Sequence, residues 1–416
     1  MQAPKSKRPV FPRRLSLPGR VLYAVRHSLP FASNGYAIRT HGVARALIQS
    51  GCEVVVCTAP GLPWNQPGQA GRHWSNQHSI DGVRYVHTPF SPTTDLSPKE
   101  RHQRLAQIYA ELIRVFKPAV VMAASNWANA LPPARAAQSA GLPFFYEVRG
   151  FWELTRLAAE PSWTESPEYR KAQVLEQRGA PPERVDLVPN GFDGWAPAPD
   201  GSDGLRRQLG IKARHVVGYI GSFNAYEGLE DLIDAVARLR AQGLDLALVL
   251  VGSSARMGME PNGSGLCPAA QGYQALAQKL GMAESLYLPG RIDPAAVADY
   301  YGLLNLIVIP RRPVLVCELV SPLKPLEAAA HGKRVLMSDV APLAELRGHC
   351  SNFFYFRKGQ PDNMAEQIQN ILSNHAGPPT RCPSLENLTW CENVRRMVRA
   401  INACGGNFVL ERSPCV

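Results

Sequence analysis

Lys324 and Glu327 lie three positions apart in the segment SPLKPLEAAAHG, which spans residues 321–332. Two prolines suit the start of a helix and the final glycine suits its end, so the spacing places both charged side chains on one helix face. A lysine there could bind a phosphate, and a carboxylate, which only accepts hydrogen bonds, is matched to the two adjacent hydroxyls of a ribose. The same spacing also fits a surface ion pair, so the segment alone leaves both interpretations open.

Four short apolar runs in the second half of the chain lead into residues that can contact a phosphate. These residues are Gly221 with Ser222, Gly252, Arg291 and Arg311. Glycines let backbone N–H groups approach a phosphate closely, and arginines offer planar forks to a diphosphate. Because ligands of parallel sheets bind beyond the carboxyl ends of the strands, we expect these residues to converge on one rim. Taken singly, each also fits an ordinary tight turn or a solvated surface arginine.

The chain around these motifs alternates between strand-like and helix-like patterns. Helical patterns separate most of the predicted strands, which lie at residues 21–25, 53–58, 119–123, 144–148, 185–189, 216–220, 246–251, 286–288, 306–309 and 334–337. This alternation predicts two successive doubly wound, Rossmann-like α/β units with parallel sheets, facing each other across a cleft. The Pro-, Gly- and Asp-rich segment 194–204 is the predicted linker between them.

These patterns divide the chain into four parts. We predict a basic disordered tail over residues 1–20, a first domain over 21–190, a second domain over 205–385, and a C-terminal helix and tail over 386–416. The phosphate-type motifs all fall in the second domain, which is therefore the expected ligand-binding unit.

The charge balance and the cysteine content indicate where the protein is located and which kinds of partner it binds. The net charge is +11, and residues 1–20 contain six basic residues and no acid, which fits either a solvated arm or a contact with anionic lipid head groups. No nucleic-acid motif follows this tail, so we expect no nucleic-acid partner. The sequence contains no run of about 18 apolar residues and no signal-type N-terminus. None of the nine cysteines forms a CxxC pair. We therefore expect reduced thiols and a cytoplasmic protein, and peripheral contact of the tail with the inner membrane face is the alternative to a solvated arm.

Taken in order, the motifs GSF, EGL, VLVGS, LPGR, IPR and PLKPLEAAAHGKRVLMSD resemble the donor domain of the large retaining glycosyltransferase family four. VDLVPNGFD resembles the sequence with which this family enters that domain. In the first half, SNGYAIRTHGVARALIQSGCEVVVCTAPGLPW and ASNWANALPPARAAQSAGLPFFYEVRGFWELTR also fit, and the second of these looks like a bacterial subgroup tied to surface or exported polysaccharide. The resemblance covers roughly residues 20–400.

The resemblance implies a GT-B fold, a nucleotide-diphosphate sugar donor, retention of anomeric configuration, and neither a catalytic metal nor another cofactor. It places Glu327 at the ribose, and Arg149 and Glu153 on the wall of the first domain. The remaining donor-site residues that it implies, with Gly35 in the glycine loop facing the donor, are Gly35, Gly221, Ser222, Gly252, Arg291, Arg311 and Lys324.

Three departures from the family pattern shape the catalytic candidates. The family often has a glutamate eight positions before the ribose-binding one, but residue 319 is leucine, so Glu318 is the candidate substitute. A histidine near the strand at 120–124 is absent, and His41 joins Arg149 as a candidate for catalysis from the first domain. About one helix and one strand of the family pattern are missing near residue 170.

We therefore predict a glycosyltransferase that moves a sugar from a nucleotide-diphosphate donor to a polysaccharide or lipid-linked acceptor. The alternative is a catalytically impaired relative that binds glycans or nucleotide sugars. A sugar-nucleotide epimerase of the same build is a further alternative. The chain contains no GxGxxG motif, which argues against a dinucleotide-dependent oxidoreductase.

Overall fold

Two six-stranded sheets form the centres of two α/β units in the computed structural model, which describes residues 16–66, 73–90, 96–165, 169, 185–198, 203–254, 266–374 and 381–403. The first unit contains, in chain order, β1 (Arg20–Val25), α1 (Gly35–Gln49), β2 (Glu53–Thr58), β3 (Gln77–Ile80), β4 (Val83–Val86), α2 (Pro98–Phe116), β5 (Val120–Ala124), α3 (Trp127–Ser139) and β6 (Phe144–Glu147). Its strand order is β3-β4-β2-β1-β5-β6, and all neighbours run parallel except the antiparallel hairpin of β3 and β4.

The second unit follows a connecting helix, α4 (Trp152–Ala159). Its elements are α5 (Asp203–Gln208), β7 (His215–Ile220), α6 (Leu229–Ala241), β8 (Leu246–Val251), α7 (Pro268–Lys279), β9 (Leu286–Gly290), α8 (Val297–Leu303), β10 (Leu306–Ile309), α9 (Leu315–Leu319), α10 (Lys324–Ala330), β11 (Val335–Ser338), α11 (Ala341–Ala344), β12 (Phe353–Phe356) and α12 (Pro361–Asn374). The last described helix is α13 (Trp390–Ala403).

The second sheet has the parallel order β9-β8-β7-β10-β11-β12. This is the dinucleotide-fold order, in which the direction of winding reverses between the first and fourth strands, here β7 and β10. Ligands of such sheets bind beyond the carboxyl ends of the strands at that reversal. The sheet thus confirms the predicted doubly wound unit, and it places the residues after β7 and β10 side by side.

Buried apolar runs explain why these strands form the centre of each unit. β8 reads LALVLV and is buried at every position, and the last five residues of β1 are likewise fully covered. A strand buried on both faces needs helices on both sides, and this is what continuous apolar runs rather than alternating ones predict. The amphipathic helix α6 supplies one such cover, since seven of its residues, including Leu232 and Val236, are buried.

Two chain segments cross between the units. Helix α4 follows β6 of the first unit, yet Leu154 is buried in the apolar core of the second unit. At the other end of the chain, α13 returns to the first unit, where Trp390 packs so closely on Gly42 and Gly191 that a methyl group at either glycine would clash with it. Both crossings bring the two units into direct contact.

The structure departs from the sequence-based expectations at several elements. The strand predicted at 185–189 is wrong, because this segment is irregular, Leu187 is 85% exposed, and none of the described strands pairs with it. The patterns did not predict the β3–β4 hairpin, β12 or α9. The expectation that all cysteines are free thiols is also wrong, since Cys350 and Cys382 form a disulfide with their Cα atoms 5.1 Å apart.

Parts of the predicted organisation lie outside the described residues. Residues 1–15 of the basic tail and most of the segment near residue 170 are among these. Among the described strands, β6 closes the first sheet on that side. The helices that the structure describes are all too short or too polar to cross a lipid bilayer.

Candidate functional site

Two glycines at the ends of neighbouring strands bring the backbone into unusually close contact. Gly221 follows β7 with φ +154° and Gly252 follows β8 with φ +142°. A Cβ atom on Gly252 would overlap the carbonyl oxygen of Gly221, and one on Gly221 would overlap Cε of Lys324 and lie 3.0 Å from the Tyr219 hydroxyl. Only glycine fits both positions, and the Lys324 side chain passes directly over the glycine backbone.

Lys324 belongs to a buried ionic cluster with Glu227 and Arg311. The Lys324 Nζ donates to Glu227 Oε1 at 3.0 Å. Arg311 donates from Nη2 to Glu227 Oε1 at 3.3 Å and from Nε to Oε2 at 3.4 Å. Arg311 Nη1 also donates to the backbone carbonyl of Val320 at 2.7 Å. Two cations therefore share one carboxylate at the point where the sheet reverses its winding.

Burial and charge act in opposite directions on this cluster. The side chains of Glu227, Arg311 and Lys324 are 1%, 7% and 14% exposed. Burial alone would raise the pKa of Glu227, but the two cations outweigh it and hold the pKa at about 2. Glu227 in turn raises the pKa of Arg311 against the opposing effect of burial. The cluster carries one net positive charge.

Glu327 lies on α10, one turn beyond Lys324, and its side chain differs from Lys324 in its hydrogen bonding. Among the residues that the structure describes, none donates a hydrogen bond to its carboxylate. Burial raises the pKa of Glu327, and Asp193 on the connecting segment adds to this effect while Lys324 opposes it. Glu327 is half-buried, and partly desolvating a carboxylate that has no hydrogen-bond donor costs free energy, which a ligand with donors would offset. Two ribose hydroxyls would supply such donors.

A second buried cluster occupies the facing edge of the first unit. Arg149 donates from Nη2 to Glu147 Oε2 at 2.9 Å and from Nη1 to Thr40 Oγ1 at 2.7 Å. Arg39 Nε donates to Glu147 Oε1 at 2.7 Å, and Tyr23 also donates to the same carboxylate. Burial raises the pKa of Glu147, but the two arginines outweigh it and hold the pKa at about 2.

Residues next to the two clusters contact each other at the boundary between the units. A Cβ atom on Gly150 would lie 3.7 Å from Val320, whose carbonyl accepts from Arg311. Gly35, at the start of α1, lies against Leu323, which directly precedes Lys324. Arg291 donates from Nη2 to Ser33 in the loop before α1. The glycine loop of the first unit is thus adjacent to the start of α10.

Two family models match most of the chain. The model described as glycosyl transferases group 1 matches residues 214–374, and the model described as glycosyl transferase 4-like domain matches residues 34–191. The first range contains the Glu227 cluster and Glu327, and the second contains the Arg149 cluster.

The chain belongs to the group 1 glycosyltransferases. The D-inositol 3-phosphate glycosyltransferase 1 of Catenulispora acidiphila is 24% identical over 427 residues, covering 93% of this chain and 96% of that enzyme. The corresponding enzyme of Segniliparus rotundus is 26% identical over 240 residues, covering 57% of this chain and 46% of that enzyme. The chain therefore spans about half the length of several relatives that it matches.

Solved structures support the GT-B fold of this group 1 glycosyltransferase. The sucrose-phosphate synthase of Thermosynechococcus elongatus superposes with a TM-score of 0.68 at 17% identity, covering 93% of this chain and 99% of that one. Anabaena HepE in complex with UDP and glucose superposes with a TM-score of 0.65 at 15% identity, covering 93% and 100%. At these identities the likeness establishes the fold, two parallel-sheet units of the GT-B type.

Three of the predicted catalytic and wall residues lie in different surroundings in this glycosyltransferase. Glu318 on α9 accepts from Lys358 Nζ at 2.6 Å and from the backbone N–H of Ala341 at 2.9 Å, so its carboxylate caps α11. His41 on α1 contacts the Tyr85 hydroxyl at 2.8 Å and Asp81 Oδ2 at 3.0 Å, at the β3–β4 hairpin. Glu153 is buried on α4. The structure thus does not bring Glu318 or His41 into either ionic cluster.

The donor-type residues lie closer together. Gly221, Gly252, Arg311 and Lys324 converge around the Glu227 cluster, and the Ser222 carbonyl accepts from the Tyr219 hydroxyl at 2.9 Å beside them. Sequence reasoning missed Glu227 as a site residue, although it stands in the quoted EGL motif. An acidic residue just before a helix is also an ordinary favourable helix start, so the motif carries no sign of its buried role.

Proposed function

We propose that this protein transfers a sugar from a nucleotide-diphosphate sugar to an acceptor hydroxyl with retention of configuration. The observation that carries the proposal is the arrangement around α10. Lys324 lies over the closely packed glycine backbone at the sheet reversal, and Glu327, one turn away, has a half-buried carboxylate to which no described residue donates. This pairing fits a diphosphate next to a ribose.

The same geometry supports a role for Lys324 during the reaction. When the bond between the sugar and the diphosphate breaks, the electron pair stays on the diphosphate oxygen, where negative charge develops. An ammonium group has three N–H donors, and Lys324 uses one of them on Glu227, so further donors can face this oxygen. We propose that this cation performs the task without a bound metal and that the protein uses no other cofactor.

The acceptor is proposed from the sequence resemblance as a polysaccharide or lipid-linked glycan. The names of the relatives add D-inositol 3-phosphate as an acceptor to be tested. Peripheral membrane contact through the basic tail stays a proposal, and cosedimentation with phosphatidylserine vesicles, compared between the full chain and a variant lacking residues 1–15, tests it. Equal binding of both proteins would remove the tail from this role.

A thermal-shift screen with UDP-, GDP- and ADP-sugars tests donor binding, because a ligand that binds only the folded state raises the melting temperature. The donor that responds is then used in a transfer assay with wild type, Glu327→Gln and Glu345→Gln. Glu345 is an exposed carboxylate of the same unit and serves as the matched control. We expect loss of turnover in Glu327→Gln alone. No response of the wild type to any nucleotide sugar would refute the proposal.

The second candidate function is a binding protein without turnover. The engagement of Glu318 by Lys358 and the Ala341 amide favours it, because this carboxylate is already committed within the second unit. Under this candidate, a nucleotide sugar raises the melting temperature but neither transfer nor donor hydrolysis is measured. Turnover by the wild type would exclude it.

A further inference from the structure

We propose that Glu227 is a positioning residue that holds Lys324 in place for the donor diphosphate and that Arg311 assists from the buried side of the cluster. This inference rests on the proposed function and deepens it by assigning a separate role to each of the three charged residues. Lys324 is the group that meets the diphosphate, whereas Glu227 and Arg311 act through it.

Exposure and hydrogen bonding assign these roles. Arg311 is 7% exposed, and each of its nitrogen atoms already donates, two to Glu227 and one to the Val320 carbonyl. Lys324 is 14% exposed and, among the residues that the structure describes, forms one hydrogen bond, to Glu227 Oε1. The ammonium group is therefore the member of the cluster with both free donors and access to solvent.

Backbone packing keeps Glu227 in this position. Gly228 follows it with φ +72°, and a Cβ atom there would overlap the carbonyl oxygen of Pro310, the residue before Arg311. The turn that carries Glu227 thus packs directly against the end of β10. This packing holds the Glu227 carboxylate between the two cations. The Tyr219 ring lies 5.2 Å below the Lys324 ammonium and limits its movement on the other side.

A neutral residue in place of Glu227 distinguishes a positioning role from a purely electrostatic one, because the two roles predict opposite changes in the affinity for an anion. If only net charge mattered, Glu227→Gln would make the site more positive and tighten the binding of an anion. If Glu227 positions Lys324, its loss leaves two cations without a shared carboxylate, so the ammonium group moves away and anion binding weakens.

Calorimetric titration of the full chain with inorganic pyrophosphate, and in parallel with UDP, GDP and ADP, measures this difference. We expect Glu227→Gln to weaken binding by about tenfold or more, the size of a lost charge-assisted hydrogen bond. Glu227→Asp keeps the charge on a shorter side chain and should also weaken binding, to a smaller degree. Glu230→Gln is the matched control, since Glu230 is a 40% exposed partner of Arg312, and it should leave the affinity unchanged.

A double-mutant cycle with Lys324→Met separates positioning from general damage. In the Lys324→Met background, Glu227→Gln should have little further effect, because the group that it positions is gone. A second loss of similar size in that background would overturn the positioning role. If Glu227→Gln fails to unfold cooperatively, Glu227→Asp carries the comparison, and wild-type affinity in that variant overturns the inference.

The outcomes also separate this inference from the proposed function. A wild type that binds a nucleoside diphosphate, together with a Glu227→Gln variant that binds it equally or more tightly, overturns the role of Glu227 and leaves the transferase proposal standing. A wild type that binds neither pyrophosphate nor any of the nucleotides overturns both.

Discussion

Replacing Gly221 with alanine should strongly weaken donor binding while the protein stays folded. The new methyl group would overlap Cε of Lys324 and approach the Tyr219 hydroxyl at 3.0 Å. Carbon atoms need about 3.5 Å or more, so the Lys324 side chain must move by about 1 Å or more. Because the overlapping atom belongs to a flexible side chain, the chain can move aside, but the 3.0 Å hydrogen bond to Glu227 is then lost.

The magnitudes follow from these two effects. The residue at 221 has φ +154°, and holding an L-amino acid in such a sparsely populated region costs about 1–3 kcal/mol of stability. Loss of a charge-assisted hydrogen bond at Lys324 costs about 1.5–3 kcal/mol, which corresponds to an affinity roughly 10- to 100-fold weaker. We therefore expect a folded protein with a modestly lower melting temperature and a strongly weakened affinity for the donor.

Gly243→Ala is the control that separates the effect of backbone strain from the effect of displacing the Lys324 side chain. Gly243 has φ +91°, but nothing lies within 4 Å of the position that its Cβ would occupy. It should lose stability without losing donor affinity. Titration calorimetry with the nucleotide sugar found in the screen, together with thermal unfolding, measures both quantities. Wild-type donor affinity in Gly221→Ala would refute the reasoning that Lys324 is held over this glycine.

Three further predictions concern charge. Arg149→Met leaves the buried carboxylate of Glu147 with one arginine fewer and should lower the free energy of unfolding by about 3–5 kcal/mol in urea titrations; a loss below about 1 kcal/mol would contradict it. Burial lowers the pKa of His87 to about 4 in the folded protein, so between pH 6.5 and 4 protons bind preferentially to the unfolded chain. The free energy of unfolding should therefore fall over this range, by up to about 3 kcal/mol. His87→Phe should flatten this part of the urea-derived pH profile, and an unchanged profile would argue against it. EDTA should leave transfer activity unchanged if Lys324 neutralises the leaving diphosphate, and activity restored only by a divalent cation would contradict that assignment.

Acid should act on the two buried carboxylates at lower pH than on His87. Glu147 and Glu227 have pKa values of about 2 in the folded state, below the ordinary glutamate value of 4.5. Their contribution is complete above that ordinary value and is lost as the pH falls towards 2. All three pKa values are lowered by folding, so the order follows from the pH range of each shift, 6.5 to about 4 for His87 and 4.5 to about 2 for the two glutamates.

The strand pattern and the donor motifs were readable from the sequence because both are local. A run such as LALVLV needs burial on both faces wherever it lies, and the prolines and glycine around PLKPLEAAAHG specify a helix that the structure places at Lys324–Ala330. The short β3 strand escaped prediction because its residues alternate between exposed and half-buried and include no long apolar run.

The sequence by itself determined that two doubly wound units exist and that Lys324 and Glu327 share a helix, because hydrophobic periodicity and helix spacing act over a few residues. The tertiary structure alone decided that Glu227 meets Arg311 and Lys324, which lie 84 and 97 positions away in the chain. It also decided that Glu318 caps α11 and that Cys350 pairs with Cys382. Contacts of this kind depend on which strand ends the sheet order brings side by side, and no local pattern records that order.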